Sequence, residues 1–313
     1  MKIPWRPILC GAVFVAGPLG VLKVHNANAQ AQTTGGVAAA QKPLYARLGW
    51  KRGAPSDLEI GGDLLGTPAK SARYATREQL LALPQVSYTV TNDANFSGPT
   101  QISGVALDEL LKALTENPES ELAVAVCSDK YETHYPRAYI AAHRPVLVLR
   151  IDGKDPAEWP KSPEGADMGP YLISSPDFKP SFKVLSHEDE PQIPWGVVRL
   201  EIQSEAAVFD PIRPRGASAD SREVQDGYRI AQQNCFRCHN SGDEGGMKAQ
   251  RPWTVLSTWA TASPEYFAGY IHDPKSKNSK AQMPGFTNYD AATLNALTKY
   301  FQTFTDEKKS KTP

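Results

Sequence analysis

The chain has 313 residues, 34 basic and 34 acidic side chains, 41% hydrophobic residues and 26 prolines. So even a charge balance, with no basic run, argues against a nucleic-acid partner and against a polybasic membrane patch. The four cysteines, taken with the motifs below, leave no disulfide framework, and the length accommodates two domains.

Residues 1–29 read as a signal peptide. Lys2 and Arg6 precede an apolar run from Ile8 to Leu22, and Ala27-Asn28-Ala29 is an A-x-A cleavage site. The run is shorter than the ~20 residues a membrane span needs. The expectation is therefore a cleaved signal and a periplasmic product without a stable span, an uncleaved N-terminal anchor being the alternative. Cys10 leaves with the signal, and loss of Lys2, Arg6 and Lys23 leaves the remainder mildly acidic. Residues 30–42, rich in Ala, Gln, Thr and Gly, are expected to be a disordered lead-in.

Residues 43–204 pattern as a mixed α+β domain. Thr76 and Gln79 have capping-box spacing before a short helix that Pro84 ends. Val86, Tyr88 and Val90 alternate as a half-buried strand, and Leu107, Leu110, Leu111 and Leu114 recur at helical spacing. Further strands are expected near 121–127, 145–151 and 197–202. Between 153 and 194 the chain is Pro-rich and aperiodic, which predicts a long wrapping loop. Cys127, in an apolar run, reads as a buried thiol. His134, Arg137, His143 and Arg144 make a small basic cluster whose ordinary reading is a solvated face, cofactor binding being the sharper alternative.

Residues 205–218, with Pro211 and Pro214, predict a semi-rigid linker. From 219 to 306 the pattern is helical, and 307–313 form a flexible tail. Asp220 and Glu223 have capping-box spacing, and Val224, Tyr228 and Ala231 follow on one face. Gly227 would let this first helix cross the last one closely. Ser263-Pro264-Glu265 starts another helix, with Tyr266, Phe267, Tyr270 and Ile271 as its buried face and Pro274 as its stop. Leu294, Leu297, Phe301 and Phe304 mark a terminal helix beginning near Asn288 or Asp290.

Between the first two helices lies Cys235-Phe236-Arg237-Cys238-His239. C-x-x-C-H is the attachment sequence of c-type haem: two thiols reach two vinyl groups, and the adjoining imidazole becomes an axial iron ligand. A zinc knuckle or a redox C-x-x-C is the competing reading. Met283, in Gln282-Met283-Pro284-Gly285-Phe286, supplies the soft sixth ligand; Met247 and His272 are the rivals.

With these features in place, residues 219–306 resemble a class I cytochrome c domain. The resemblance implies one covalent haem c on Cys235 and Cys238, with His239 and Met283 as axial ligands. It also implies a proline carbonyl bonded to the proximal histidine's other nitrogen, for which Pro252 is the candidate. Arg251 and Trp253 would then lie near the haem propionates, packing being the commoner role for such a Trp. Residues 43–204 are similar to the molybdopterin-binding domain of the sulfite-oxidase family. The likeness rests on Ala82-Leu83-Pro84-Gln85-Val86, Gly104-Val105-Ala106-Leu107-Asp108, Ser128-Asp129-Lys130-Tyr131, Arg150-Ile151-Asp152-Gly153-Lys154 and Val198-Arg199-Leu200-Glu201. That family's metal-binding cysteine falls where this chain reads Thr91-Asn92-Asp93-Ala94-Asn95, so molybdopterin is not expected and the domain reads as non-catalytic. The expected function is a periplasmic carrier of single electrons between a redox enzyme and an acceptor, docked through its first domain. The alternative is a haem-containing molybdenum oxidoreductase of sulfite-dehydrogenase type. Displacement of Met283, opening the iron to small ligands, is a third.

Overall fold

The computed structural model describes residues 43–68, 71–115, 122–163, 165–176, 178–180 and 189–310, with side chains to residue 305. The expected signal peptide, lead-in and last residues of the tail lie outside these. Among the described residues no helix is long and apolar enough to cross a membrane.

The first region is a sheet with helices packed on it. Its strands are β1 (Leu58–Gly62), β2 (Arg73–Ala75), β3 (Val86–Val90), β4 (Thr100–Ala106), β5 (Leu122–Cys127), β6 (Glu132–Pro136), β7 (Val146–Ile151), β8 (Tyr171–Ser174) and β9 (Trp195–Gln203). Its helices are α1 (Leu44–Arg47), α2 (Arg77–Leu81), α3 (Leu107–Leu114) and α4 (Arg137–His143). The strand order is β2-β1-β9-β8-β7-β4-β3, with β5 joined to β9 and β6 to β5. β9 is the hub: it runs parallel to β1 and antiparallel to β5 and β8.

Several expected elements form as read. α2 is closed by a full capping box between Thr76 and Gln79. β3 turns Val86, Tyr88 and Val90 inward while Ser87 and Thr89 face out. α3 buries all four of its leucines. The wrapping loop expected over 153–194 is a correction: it contains β8, between β7 and β9, and all four of its residues are buried. A strand covered on both faces shows no alternation, so only its β-branched and aromatic content could have signalled it.

The second region is helical: α6 (Arg222–Asn234), α7 (Trp253–Ala262), α8 (Pro264–His272), α9 (Pro274–Lys277) and α10 (Ala291–Ser310). α10 runs past the boundary at 306 into the expected tail. The cap of α6 is Ser221, whose hydroxyl accepts from the Val224 N–H at 3.4 Å, and not Asp220. On α8, Phe267 and Ile271 are buried whereas Tyr266 is exposed; Pro274 ends this helix by opening α9. Gly227 does what its position suggests. A Cβ there would stand 2.1 Å from the Ala296 carbonyl oxygen, so α6 and α10 cross in backbone contact.

The expected linker is also corrected. Residues 205–212 form α5 (Glu205–Phe209) and a 3-10 turn (Asp210–Ile212), and Val208, Phe209 and Ile212 are buried. They join one apolar cluster containing Leu122 and Val124 of β5 and Phe236, Trp253, Leu297, Tyr300 and Phe301 of the helical region. Three large apolar side chains in so short a stretch favour burial over the spacer role that its prolines suggest. The two regions therefore share a core.

Candidate functional site

The haem motif begins where α6 ends. Cys235 is the C-cap of α6, its N–H still bonded to the Ala231 carbonyl at 2.9 Å. Cys238 and His239 then donate to the Cys235 carbonyl at 3.1 and 3.0 Å, which winds the motif into one further turn. Cys235 and Cys238 are half-buried free thiols. Poor hydration pushes Cys235 up to about 12 and Cys238 upward, so both hold their protons.

His239 is buried, and its Nδ1 donates to the Arg251 carbonyl at 2.6 Å. A carbonyl can only accept, so this bond fixes the proton on Nδ1 and leaves the Nε2 lone pair for a metal. Burial also lowers the pKa of His239, favouring the neutral imidazole that a ligand requires, while the bond to Arg251 opposes the shift. The partner expected for Nδ1 was the carbonyl of Pro252. That carbonyl is occupied: Pro252 is the N-cap of α7 and accepts from Val255 N–H at 2.9 Å. A residue before proline is confined to extended conformations, which releases the Arg251 carbonyl toward the ring.

The loop from 240 to 252 folds back tightly on the motif. Gly246 donates to Phe236 O at 2.9 Å, Ala249 to Cys238 O at 2.9 Å and Trp253 to Asn240 O at 2.8 Å. A Cβ at Gly246 would lie 1.8 Å from the Arg237 carbonyl oxygen, so only glycine permits the approach. Trp253 is buried edge-on to Phe236 and Tyr300, in a packing position. The exposed Arg251 lays its guanidinium over the Trp259 ring at 5.1 Å. Trp259 was not singled out in the sequence; the aromatic spacing of Trp259, Tyr266 and Tyr270 was its signal.

Met283 is half-buried against the helical core. Its loop is pinned by Phe286 N–H to Ile271 O at 3.1 Å and by the close seat of Gly285 under the His272 carbonyl. Of the rivals, Met247 is 51% exposed and His272 half-buried at the end of α8. No group of three or more His, Cys, Asp or Glu side chains able to hold a metal ion occurs among the described residues, which disfavours a zinc reading of the motif. The donor set fits haem: two free thiols three positions apart, then an imidazole whose proton is held on the far nitrogen.

The motif is also bonded to the sheet region. Arg237 donates to the Tyr131 hydroxyl at 3.2 Å and to the Pro191 carbonyl at 3.3 Å. Its own carbonyl accepts from Glu132 N–H at 2.9 Å, Met247 N–H donates to Lys130 O at 3.0 Å, and Lys248 pairs with Asp129 at 2.6 Å. The Ser128–Tyr131 turn thus forms the seat of the haem-binding turn.

The basic cluster expected on one solvated face is dispersed. His134 is buried between Phe236 and Phe209, and His143 is buried and bonded to Asp189 at 3.0 Å. Only Arg137 and Arg144 face solvent. At the position where the resemblance places a metal cysteine, Asp93 is buried, bonded to the Ser174 hydroxyl and to Asn95 N–H. Cys127 is buried, and burial pushes its thiol far above the ordinary range, so it remains protonated.

Residues 222–301 match the family model described as cytochrome C oxidase, cbb3-type, subunit III. No curated protein matches the chain. Among solved structures it is similar to the sulfane dehydrogenase SoxCD from Paracoccus pantotrophus, at 16% identity and a TM-score of 0.33. That match covers 51% of this chain and 42% of the other. The helical region is thus similar to a cytochrome c domain, and that similarity supports a haem-linked role in electron transfer.

Proposed function

We propose that this protein carries a single haem c and passes electrons one at a time between a redox enzyme and an acceptor in the periplasm. Cys235 and Cys238 would hold the macrocycle through thioethers, and His239 and Met283 would supply the iron's two protein ligands. The haem supplies an iron that exchanges one electron, and histidine/methionine ligation raises its potential. With His239 and Met283 both given to the iron, the chain's residues would serve to hold the group for electron exchange rather than to bind a substrate at it. One observation carries the reading: the Nδ1–Arg251 bond at 2.6 Å, which leaves His239 Nε2 free to ligate in a motif whose two thiols are free.

The sheet region, sulfite-oxidase-like in its motifs, serves in this reading as a docking module. Its fixed seat under the haem turn, and the burial of Phe209 and Ile212 in the shared core, support presentation of the haem in one orientation. Export, with cleavage after Ala29, would deliver the chain to the oxidising side where the thioethers are made. The test is expression in a host with haem-attachment machinery, followed by fractionation and a haem stain of denatured protein. A periplasmic product that keeps its colour after denaturation is expected; a colourless one would refute the reading.

A further inference from the structure

We propose that Glu132 is a proton site coupled to the haem, taking up one proton on reduction and releasing it on oxidation. The inference rests on the haem reading above. Glu132 and His134 stand on the same face of β6, the face that the helical region covers. The backbone N–H of Glu132 is bonded to Arg237 within the haem motif. Its side chain is 17% exposed, so a proton can reach it from solvent.

The surroundings suit a carboxyl whose charge is in balance. On β6 the nearest group is His134, its Nε2 3.7 Å from the Glu132 carboxylate, too far for a hydrogen bond. Neither ring nitrogen of His134 has a hydrogen-bond partner. From β9 come Glu201 and Arg199, which are paired to each other; from the loop after the haem motif comes Glu244. Two carboxylates therefore oppose a charge on Glu132 and one guanidinium, already shared with Glu59 and Glu201, supports it. Burial and these carboxylates push Glu132 up to about 7, so a modest change in local charge moves its proton.

The step balances. One electron from the redox partner would lower the positive charge at the haem by one unit. The Glu132 carboxylate, less stabilised, takes one proton from solvent. Oxidation reverses both transfers. The expected coupling is on the order of tenfold in proton affinity between the two oxidation states.

The experiment is a spectroelectrochemical titration of the full haem-loaded protein from about pH 5.5 to about pH 8.5. The potential should fall as pH rises through neutrality. In Glu132→Gln it should stay near the wild type's acid value throughout. Glu244→Gln should keep the slope but move it to lower pH, since one opposing charge is gone. A flat wild-type profile, or a Glu132→Gln profile with the wild-type slope, overturns the proposal. Should Glu132→Gln fail to fold, redox-difference infrared spectra of wild type and Glu132→Asp decide. A protonated-carboxyl band gained on reduction, and displaced in the Asp variant, is expected; no such band refutes the coupling. Colourless protein would instead refute the haem reading and is seen before any titration.

Discussion

The two loops that carry the candidate iron ligands are anchored in opposite ways. The His239 turn is tied to the sheet region through Arg237, Glu132 and Met247, and to its own following loop through Phe236 and Cys238. The Met283 loop is pinned to α8, where Phe286 N–H donates to the Ile271 carbonyl and Gly285 sits close under the His272 carbonyl. Part of the sheet thus serves as scaffold for the histidine side, while the backbone contacts that pin the methionine side come from α8. A ligand held by two regions resists displacement, and one held by a short loop can be exchanged at small cost.

Substitutions can break this contrast. The largest effect is expected from Cys235→Ala with Cys238→Ala, which removes both attachment points; denatured protein should then show no haem stain. Gly227→Ala comes next. Its methyl would collide with the backbone of α10, costing about 2–4 kcal/mol by overpacking, read as a fall in Tm. Arg237→Ala should cost about 2–3 kcal/mol, because it removes two bonds from a partly buried cation and unseats the haem turn. Met283→Ala should cost only about 1 kcal/mol, since the side chain is half-buried. It should nonetheless abolish the sulfur-to-iron charge-transfer band and lower the potential. If Met283→Ala proved as destabilising as Arg237→Ala, the contrast between the two loops would be lost.

The motif and its helices were legible because they obey local rules. Spacing placed Cys235, Cys238 and His239 on one turn, apolar periodicity marked α3 and α10, and a single glycine told where α6 and α10 touch. What stayed hidden depends on contacts between distant segments. β6 has the sequence ETHYP, with polar residues on the face that meets the helical region, so no alternation announced it. The Arg251 carbonyl became the partner of His239 because α7 consumed the carbonyl of Pro252, and α7 itself was not anticipated. The linker reading failed on Phe209 and Ile212, which find their partners in Phe236 and Tyr300 only after the chain has folded.

The finest test concerns the face where the two regions meet, and it turns on opposite signs. Burial lowers His134 to about 3, so between that value and its ordinary 6.5 the unfolded chain binds the proton and the folded one does not. Its contribution to stability is therefore lost as pH falls below about 6.5. Glu132 behaves inversely: raised from 4.5 to about 7, it is protonated when folded and ionised when unfolded over that interval. Its contribution grows as pH falls. Between pH 7 and pH 5 each amounts to about 2 kcal/mol, and the two nearly cancel in wild type. Chemical denaturation at several pH values should show a flat wild-type profile. His134→Phe should gain stability on acidification by about 1–2 kcal/mol, and Glu132→Gln should lose a similar amount. Profiles for both variants parallel to wild type would mean that neither group is held in the desolvated state its burial implies, and that the shared face is wetter than the packing of Phe209 and Phe236 around His134 indicates.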